Sequence, residues 1–328
     1  MPVGNKQLLL NGKIYDCRPD ETVLQALLRQ KVDVPYSCEQ QVCLTCMMRS
    51  LNGLPPPNSQ INLKEALRVQ RFFLACGCRP TRDMEITLAA ETLAVQATAK
   101  VADLNRLNSH VLELVLQCEP PLHYRAGQLI TLFNSGNIGK AFPIASPSSA
   151  RLSGRIEVHV ERIRGGYFSE WIHEDLRAGD VLTASGATGE LFYGVGAPHT
   201  PLLMAGWNGG FGALIGVMQD AFENHQAGPV YLFHGASDAS HLYFVEELKE
   251  IGEKFPNFHY VPCVEQGSAP DGIACDSVRA LVAHMLPDQL SGWTVFLCGA
   301  KNQVHALQRQ VYLAGAAMND IHLEVTSI

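Results

Sequence analysis

The chain has no long run of Lys or Arg, and its formal charge over 328 residues is -7. A nucleic-acid backbone needs clustered cations to neutralise its phosphates, so no nucleic-acid partner is expected. No uninterrupted apolar stretch approaches the roughly 18 residues that a membrane-crossing helix needs. The opening MPVGNKQLLLNGK also lacks the apolar core and small-residue cleavage site of a secretory signal. Together these absences predict a cytoplasmic protein with no membrane span. Fixed-period repeats and low-complexity tracts are missing too. Charged residues make up only 17% of the chain against 47% hydrophobic, the balance of a globular protein with a sizeable core. The length exceeds what one core supports, so two or three domains follow.

What the chain does have is cysteine, ten in all. Without an export signal these are poor candidates for a disulfide framework, because reducing compartments keep thiols free. Cys17, Cys78, Cys118, Cys263 and Cys275 show no spacing pattern and read as small buried hydrophobes. Cys38, Cys43, Cys46 and Cys76 do form one. The run Cys38-x4-Cys43-x2-Cys46, with 29 residues before Cys76, has the spacing of plant-type 2Fe-2S ligation. Three thiolates come from one tight loop and the fourth from a distant segment. A four-cysteine zinc site would use two C-x2-C knuckles, and Cys76 and Cys78 do not make the second.

Three segments follow along the chain. Residues 1–92 open with a hairpin, QLLLNGKIY, turned at Asn11-Gly12. Next comes a helix capped by Asp20 with Val23, Leu24, Leu27 and Leu28 at helical spacing, then the cysteine loop and the strand MEITLA. Residues 93–100, LAVQATAK, are weakly patterned and read as a linker opening the second segment, 93–197. That segment carries the short strands HVLELVLQ, GQLITLF, GRIEVHVER and DVLTASG, the signature of an antiparallel barrel or sandwich. Residues 198–328 alternate strands and helices (PLLMAG, GALIGVMQDAF, VYLFHGAS, FVEELKEIG, TVFLCGA, VHALQRQVYLAG), which implies a parallel sheet covered on both faces.

The stretches PYSCEQQVCLTC and FFLACGCRP, together with this domain order, resemble the NAD(P)H-dependent ferredoxin reductase components of bacterial multicomponent oxygenases. The resemblance implies a β-grasp ferredoxin domain, an antiparallel flavin-binding β-barrel and a parallel-sheet α/β nicotinamide domain. It also implies a 2Fe-2S cluster on Cys38, Cys43, Cys46 and Cys76, and FAD, NAD(P)H and an external acceptor, a terminal oxygenase or another one-electron carrier. The family usually has glycines where this chain has Gln41 and Leu44.

The family's flavin signature, Arg-x-Tyr-Ser or Arg-x-Tyr-Thr, falls on Lys140-Ala141-Phe142-Pro143, followed by Ile144. Lys140 keeps a cation without the guanidinium fork, Phe142 keeps the ring without the hydroxyl, and Pro143 loses the backbone donor. Downstream, the resemblance implies that Gly166 and Ser169, at the start of the helix SEWIHEDL, hold the FAD pyrophosphate, as a helix N-terminus can. Taken alone, Ser169 reads as the N-cap of that helix, and Arg162 is equally a second cation or a plain surface charge. In the third segment Gly206-Trp207-Asn208-Gly209-Gly210-Phe211-Gly212 is a glycine-rich strand-to-helix turn, which lets backbone approach a pyrophosphate. Where the family turn resembles Gly-Gly-Thr-Gly, Trp207 and Asn208 depart from it, and Trp207 is placed to obstruct or reshape the pocket. Gly206, Gly209 and Gly210 are the dinucleotide candidates. Cys298 and Gly299 resemble the family's Cys-Gly strand end beside the nicotinamide, and Glu324 matches its terminal Glu-x-Phe without the aromatic. After the second strand of this segment, Asp238 with no neighbouring Arg or Lys favours a ribose hydroxyl over a 2′-phosphate, hence NADH.

Two functions are open at this point. One is a reductase that takes hydride on FAD and releases single electrons through the cluster, with Cys298 the pocket residue nearest the chemistry. The other is a cluster-bearing binding or sensing module whose departures at Gln41, Leu44, Lys140, Pro143 and Trp207 have cost it flavin or nicotinamide reactivity.

Overall fold

The computed structural model describes residues 5–36, 39–41, 46–61, 63, 65–88, 96–136, 138–194, 198–265, 269–286 and 289–326. The chain divides into two compact units, residues 1–95 and 96–328.

In the first unit β1 (Lys6–Leu10) and β2 (Lys13–Cys17) pair antiparallel about the Asn11-Gly12 turn. Both turn residues have positive φ, 50° and 75°, as a two-residue hairpin loop demands. Helix α1 (Val23–Arg29) buries Val23, Leu24, Ala26 and Leu27. Its N-cap is Thr22, not Asp20: the Thr22 hydroxyl accepts from Gln25 N, and the Gln25 side chain reciprocates on the Thr22 backbone. This reciprocal box satisfies two orphan donors where Asp20 would satisfy one, and so sets the start two residues later. Strands β3 (Met47–Ser50), β4 (Phe72–Leu74) and β5 (Met84–Leu88) complete a mixed sheet in the order β2-β1-β5-β3-β4, with the short helix α2 (Glu65–Val69) between β3 and β4. This is the expected β-grasp arrangement, packed on Leu8, Leu24, Leu27, Phe73 and Ile86.

The second unit begins with β6 (Gln96–Arg106), so residues 96–100 are strand rather than linker. The weak pattern is the alternation of Ala97, Ala99 and Val101 inward, side chains so small that the period hardly shows in the sequence. With β7 (Val111–Glu119), β8 (Leu129–Phe133), β9 (Gly139–Pro143), β10 (Arg155–Glu161) and β11 (Val181–Thr188) it forms an antiparallel sheet ordered β10-β7-β6-β11-β8-β9. The two end strands meet through an Ile144–Val158 bridge, which closes the sheet into a barrel. Helix α3 (Tyr167–Glu174) follows β10.

Next come β12 (Leu202–Trp207), α4 (Phe211–Glu223), β13 (Val230–Ala236), α5 (Val245–Lys254), β14 (Phe258–Val264), β15 (Ala274–Cys275), α6 (Val278–Met285), β16 (Thr294–Gly299), α7 (Lys301–Leu313) and β17 (Ile321–Val325). The six strands are all parallel, in the order β15-β14-β13-β12-β16-β17. The order reverses between β12 and β16, and open α/β sheets bind ligands outside the carboxyl ends of their strands at such a point. Among the described residues no helix is long and apolar enough to cross a membrane. Of the five unpatterned cysteines four are buried, but Cys275 is exposed, because it lies on the two-residue edge strand β15.

Candidate functional site

Cys38, Cys43 and Leu44 lie outside the described residues. Cys46 and Cys76 are described and flank a strand pair: Cys46 directly precedes β3, and Cys76 stands two residues after β4. The register Met47 to Leu74 and a hydrogen bond from Ala75 N to Cys46 O (3.0 Å) tie their backbones together at one end of that pair. Neither is in a disulfide. Two thiol-bearing residues far apart in sequence therefore leave the sheet side by side, an arrangement compatible with shared ligation. Gln41 has φ 61°, in the left-handed region, so the backbone there adopts the conformation a glycine would supply. Its side chain takes the space beside Gly77, where a Cβ would come within 2.1 Å of it.

In the second unit a cavity of about 530 Å³ is lined by β9 from Gly139 to Pro143, by Glu161, by Gly166 and Ser169 at the start of α3, by Gly209 and Gly210, and by Glu324 to Thr326 at the end of β17. Lys140, Phe142, Pro143, Gly166, Ser169, Gly209, Gly210 and Glu324 are thus brought together from four separated stretches of chain. Ile144 is not in the lining: it is fully buried in the barrel, bonded on both sides to residues 127–128 and bridged to Val158. Gly206, Cys298 and Gly299 do not line it either. They stand just behind, since Cys298 is in register with Gly206 on β12 and with Glu324 on β17. The Cys298 thiol has no exposed surface, and burial holds its pKa far above the ordinary thiol value.

Several local expectations are corrected. Helix α3 starts at Tyr167 with Gly166 as N-cap, and Ser169 lies inside its first turn. The Ser169 hydroxyl accepts from Ile163 N (3.1 Å) and donates to Gly166 O (3.0 Å), bracing the loop instead of capping the helix. A Cβ on Gly166 would meet Ser169 Oγ at 2.8 Å, so the loop closes tightly only with glycine there. Arg162 is engaged with Glu174 on the surface. Trp207 does not enter the cavity: its indole is buried with Ala205, Phe233, Val278 and Leu297 on the other side of the sheet, and Gly235 and Gly299 leave the room for it.

The glycines of the turn after β12 have a packing explanation. A Cβ on Gly209 would come within 2.8 Å of Glu161 Cβ on the barrel, and one on Gly210 within 3.1 Å of the Cys298 carbonyl. The turn is therefore a joint between barrel and parallel sheet as well as a wall of the cavity. Asn208 takes φ 49° there, the role for which glycine is the usual residue.

Among the lining residues that the sequence reading missed are His159 and Glu161. His159 is buried, with Nδ1 3.0 Å from Tyr243 Oη, and desolvation lowers its pKa to about 3, so the ring is neutral. Glu161 accepts from Asn208 Nδ2 (3.1 Å) and Gly209 N (3.3 Å), with its pKa raised by burial. The strand alternation of IEVHVE hid them: Ile156, Val158 and Val160 turn into the barrel core, and His159 and Glu161 fall on the opposite face, where polar residues are ordinary. Glu324 is raised by desolvation to about 7. Asp238 caps a short turn through Ser240, and hydrogen bonds from Ser240 and His241 lower it to about 2.

Three protein-family models match, in the order of the structural segments: a 2Fe-2S iron-sulfur cluster binding domain over residues 8–81, an oxidoreductase FAD-binding domain over 98–193 and an oxidoreductase NAD-binding domain over 206–309. The chain belongs to the 2Fe-2S ferredoxin reductases. It is an oxidoreductase that carries electrons from NAD(P)H through FAD and a 2Fe-2S cluster to a partner. The reductase is 28% identical to the phenol hydroxylase P5 protein of Acinetobacter pittii over 95% of this chain and 91% of that one. It is 29% identical to the aromatic O-demethylase reductase subunit of an Amycolatopsis species over 90% and 91%. The crystal structure of the Amycolatopsis cytochrome P450 reductase GcoB superposes with a TM-score of 0.64 at 27% identity, covering 98% of both chains.

The residues present suit these groups. An aromatic pair, Phe142 and Phe168 at 5.8 Å, and a lysine on the edge strand offer a flavin one apolar face and one cation. The glycine-walled loop before α3 admits close backbone approach.

Proposed function

We propose that the reductase oxidises NADH in the cytoplasm and hands single electrons to a terminal oxygenase. The observation that carries this reading is the cavity, in which the flavin-associated β9 and α3, the dinucleotide turn and the end of the last strand share one wall. When bound, FAD converts a two-electron hydride donor into a one-electron source for the cluster, which Cys38, Cys43, Cys46 and Cys76 would ligate.

The chain's own residues do the rest. Lys140 balances phosphate charge, Phe142 packs on the ring system, and Pro143 ends the edge strand where its missing N–H costs no ladder bond. Gly166 and Ser169 set the loop that receives the pyrophosphate. Gly209 and Gly210 bring the dinucleotide turn to the cavity, and Gly206, Cys298 and Gly299 form the floor behind it. Buried as it is, Cys298 supplies shape and a neutral thiol rather than a nucleophile. Glu324 at the rim holds a proton near neutral pH. Asp238, negative and with no Arg or Lys beside it in sequence, favours a ribose hydroxyl over a 2′-phosphate, the basis for NADH. The oxygenase partner is inferred from relatives named as components of phenol hydroxylase and aromatic O-demethylase systems.

Anaerobic titration followed by visible spectroscopy tests the reading. Flavin and cluster bands should both bleach with NADH, and NADPH should need at least about tenfold more reagent. Bands that persist with NADH would return the chain to the rival reading, a cluster-bearing module without nicotinamide reactivity. The burial of Trp207 away from the cavity already removes one motive for that rival.

A further inference from the structure

The turn between β12 and α4 is a natural anion seat. Helix α4 runs for 13 residues, has Gly210 as N-cap with no side-chain cap bond, and has no acidic residue of its own in the first turn. Free backbone donors and the helix dipole at such a start favour negative charge. In this structure a carboxylate from another element attends it. Glu161, the last residue of β10, accepts from Gly209 N and from Asn208 Nδ2, while Tyr243 Oη donates to Asn208 O (3.2 Å). The absence of a Cβ at Gly209 is what lets the barrel strand approach: the added carbon would stand 2.8 Å from Glu161 Cβ and 3.1 Å from Glu161 N. Glu161 also lines the cavity beside Gly209, Gly210 and Glu324.

We propose that Glu161 is an internal anion that occupies the phosphate seat of the dinucleotide turn, so that a nicotinamide dinucleotide binds by taking Gly209 N–H from it. This rests on the reading that the dinucleotide pyrophosphate docks at residues 206–210. Two anions cannot share one donor at close range in a partly buried site without mutual penalty. Glu161 thus sets affinity: it keeps the empty turn ordered and weakens the bound state, which speeds product release. Its role is positioning, exerted through the turn rather than on the reacting atoms.

The test is calorimetric titration of NAD+ into the oxidised, FAD-loaded protein. Glu161→Gln keeps an oxygen that can accept from both Gly209 N and Asn208 Nδ2 and removes only the charge. It should tighten NAD+ binding by about 10-fold, equivalent to about 1.4 kcal/mol. Glu174→Gln, on the exposed end of α3, should leave it within about twofold and controls for net charge. An unchanged or weaker Kd in Glu161→Gln overturns the proposal, a weaker one marking Glu161 as a direct contact of the dinucleotide. A wild-type protein that neither binds NAD+ nor bleaches with NADH, with a variant that behaves likewise, defeats the docking reading and the proposal with it. Tight binding confined to the variant would support both.

Discussion

The cysteine loop and the glycine-rich turn serve the same electron path but are written into the chain in different ways. Ligation of a cluster needs particular atoms, so the first unit carries its chemistry as a fixed spacing of thiols that tolerates Gln41 where glycine is usual. The dinucleotide turn needs a shape. Its glycines answer to neighbours on the barrel and on β16, and Asn208 supplies a left-handed backbone as well as glycine would. A departure from a motif therefore means little where the motif encodes a surface, and much where it encodes a ligand.

The sharpest way to break that comparison is Cys76→Ala. It should abolish the cluster, measured as iron and acid-labile sulfide, and cut delivery to a one-electron acceptor by about 100-fold or more while NADH still bleaches the flavin. Undiminished delivery would take the cysteine loop out of the path. Next in size, Phe142→Ala should weaken FAD retention by about tenfold in a dialysis assay, since a ring that packs on another ring is lost. Two glycine variants then compare rigid and soft surroundings. Gly216→Ala places a carbon 2.6 Å from the Ala145 carbonyl oxygen and 2.9 Å from Ala126 Cβ, neither able to yield, and should cost about 1–3 kcal/mol in denaturant melts. Gly77→Ala meets the Gln41 side chain at 2.1 Å, which can swing aside, and should cost less than about 1 kcal/mol.

A fourth test concerns pH. Glu324 rises from an ordinary 4.5 to about 7 in the folded protein. Between those values the folded state binds the proton that the unfolded state has lost, so wild-type stability falls as pH climbs through that window. Glu324→Gln removes the effect. Its melting temperature should match wild type near pH 4.5, exceed it increasingly up to about pH 7 and hold a constant lead above. A lead that does not grow with pH would mean that the carboxyl is better solvated than its position implies. The smallest effect belongs to Arg162→Ala: with side chains 40% and 54% exposed, the pair with Glu174 should contribute under about 1 kcal/mol.

Much of the fold was legible because its elements are periodic. The strands and helices of the parallel sheet follow the alternation of apolar runs and glycine turns, and the Asn11-Gly12 hairpin follows turn chemistry. What was not legible had physical reasons. Strand β6 hides behind alanines, and the N-cap at Thr22 outcompetes Asp20 through a side chain three residues on. Of the candidate site, the four stretches around the cavity were each marked by resemblance, but His159 and Glu161 were not, since a polar residue inside a barrel strand shows its purpose only when the partner element is in place. Ile144 was misassigned for the converse reason: it adjoins the flavin segment in sequence, yet strand alternation turns it into the core.

Glu324, Val325 and Thr326 form part of the cavity wall, and Thr326 N–H is bound to the Gly299 carbonyl at 2.9 Å. Anything spliced onto that final strand inherits an address at the cavity rim. A small fluorophore there would report cofactor loading directly, whereas a bulky fusion would interfere with the property it was meant to track.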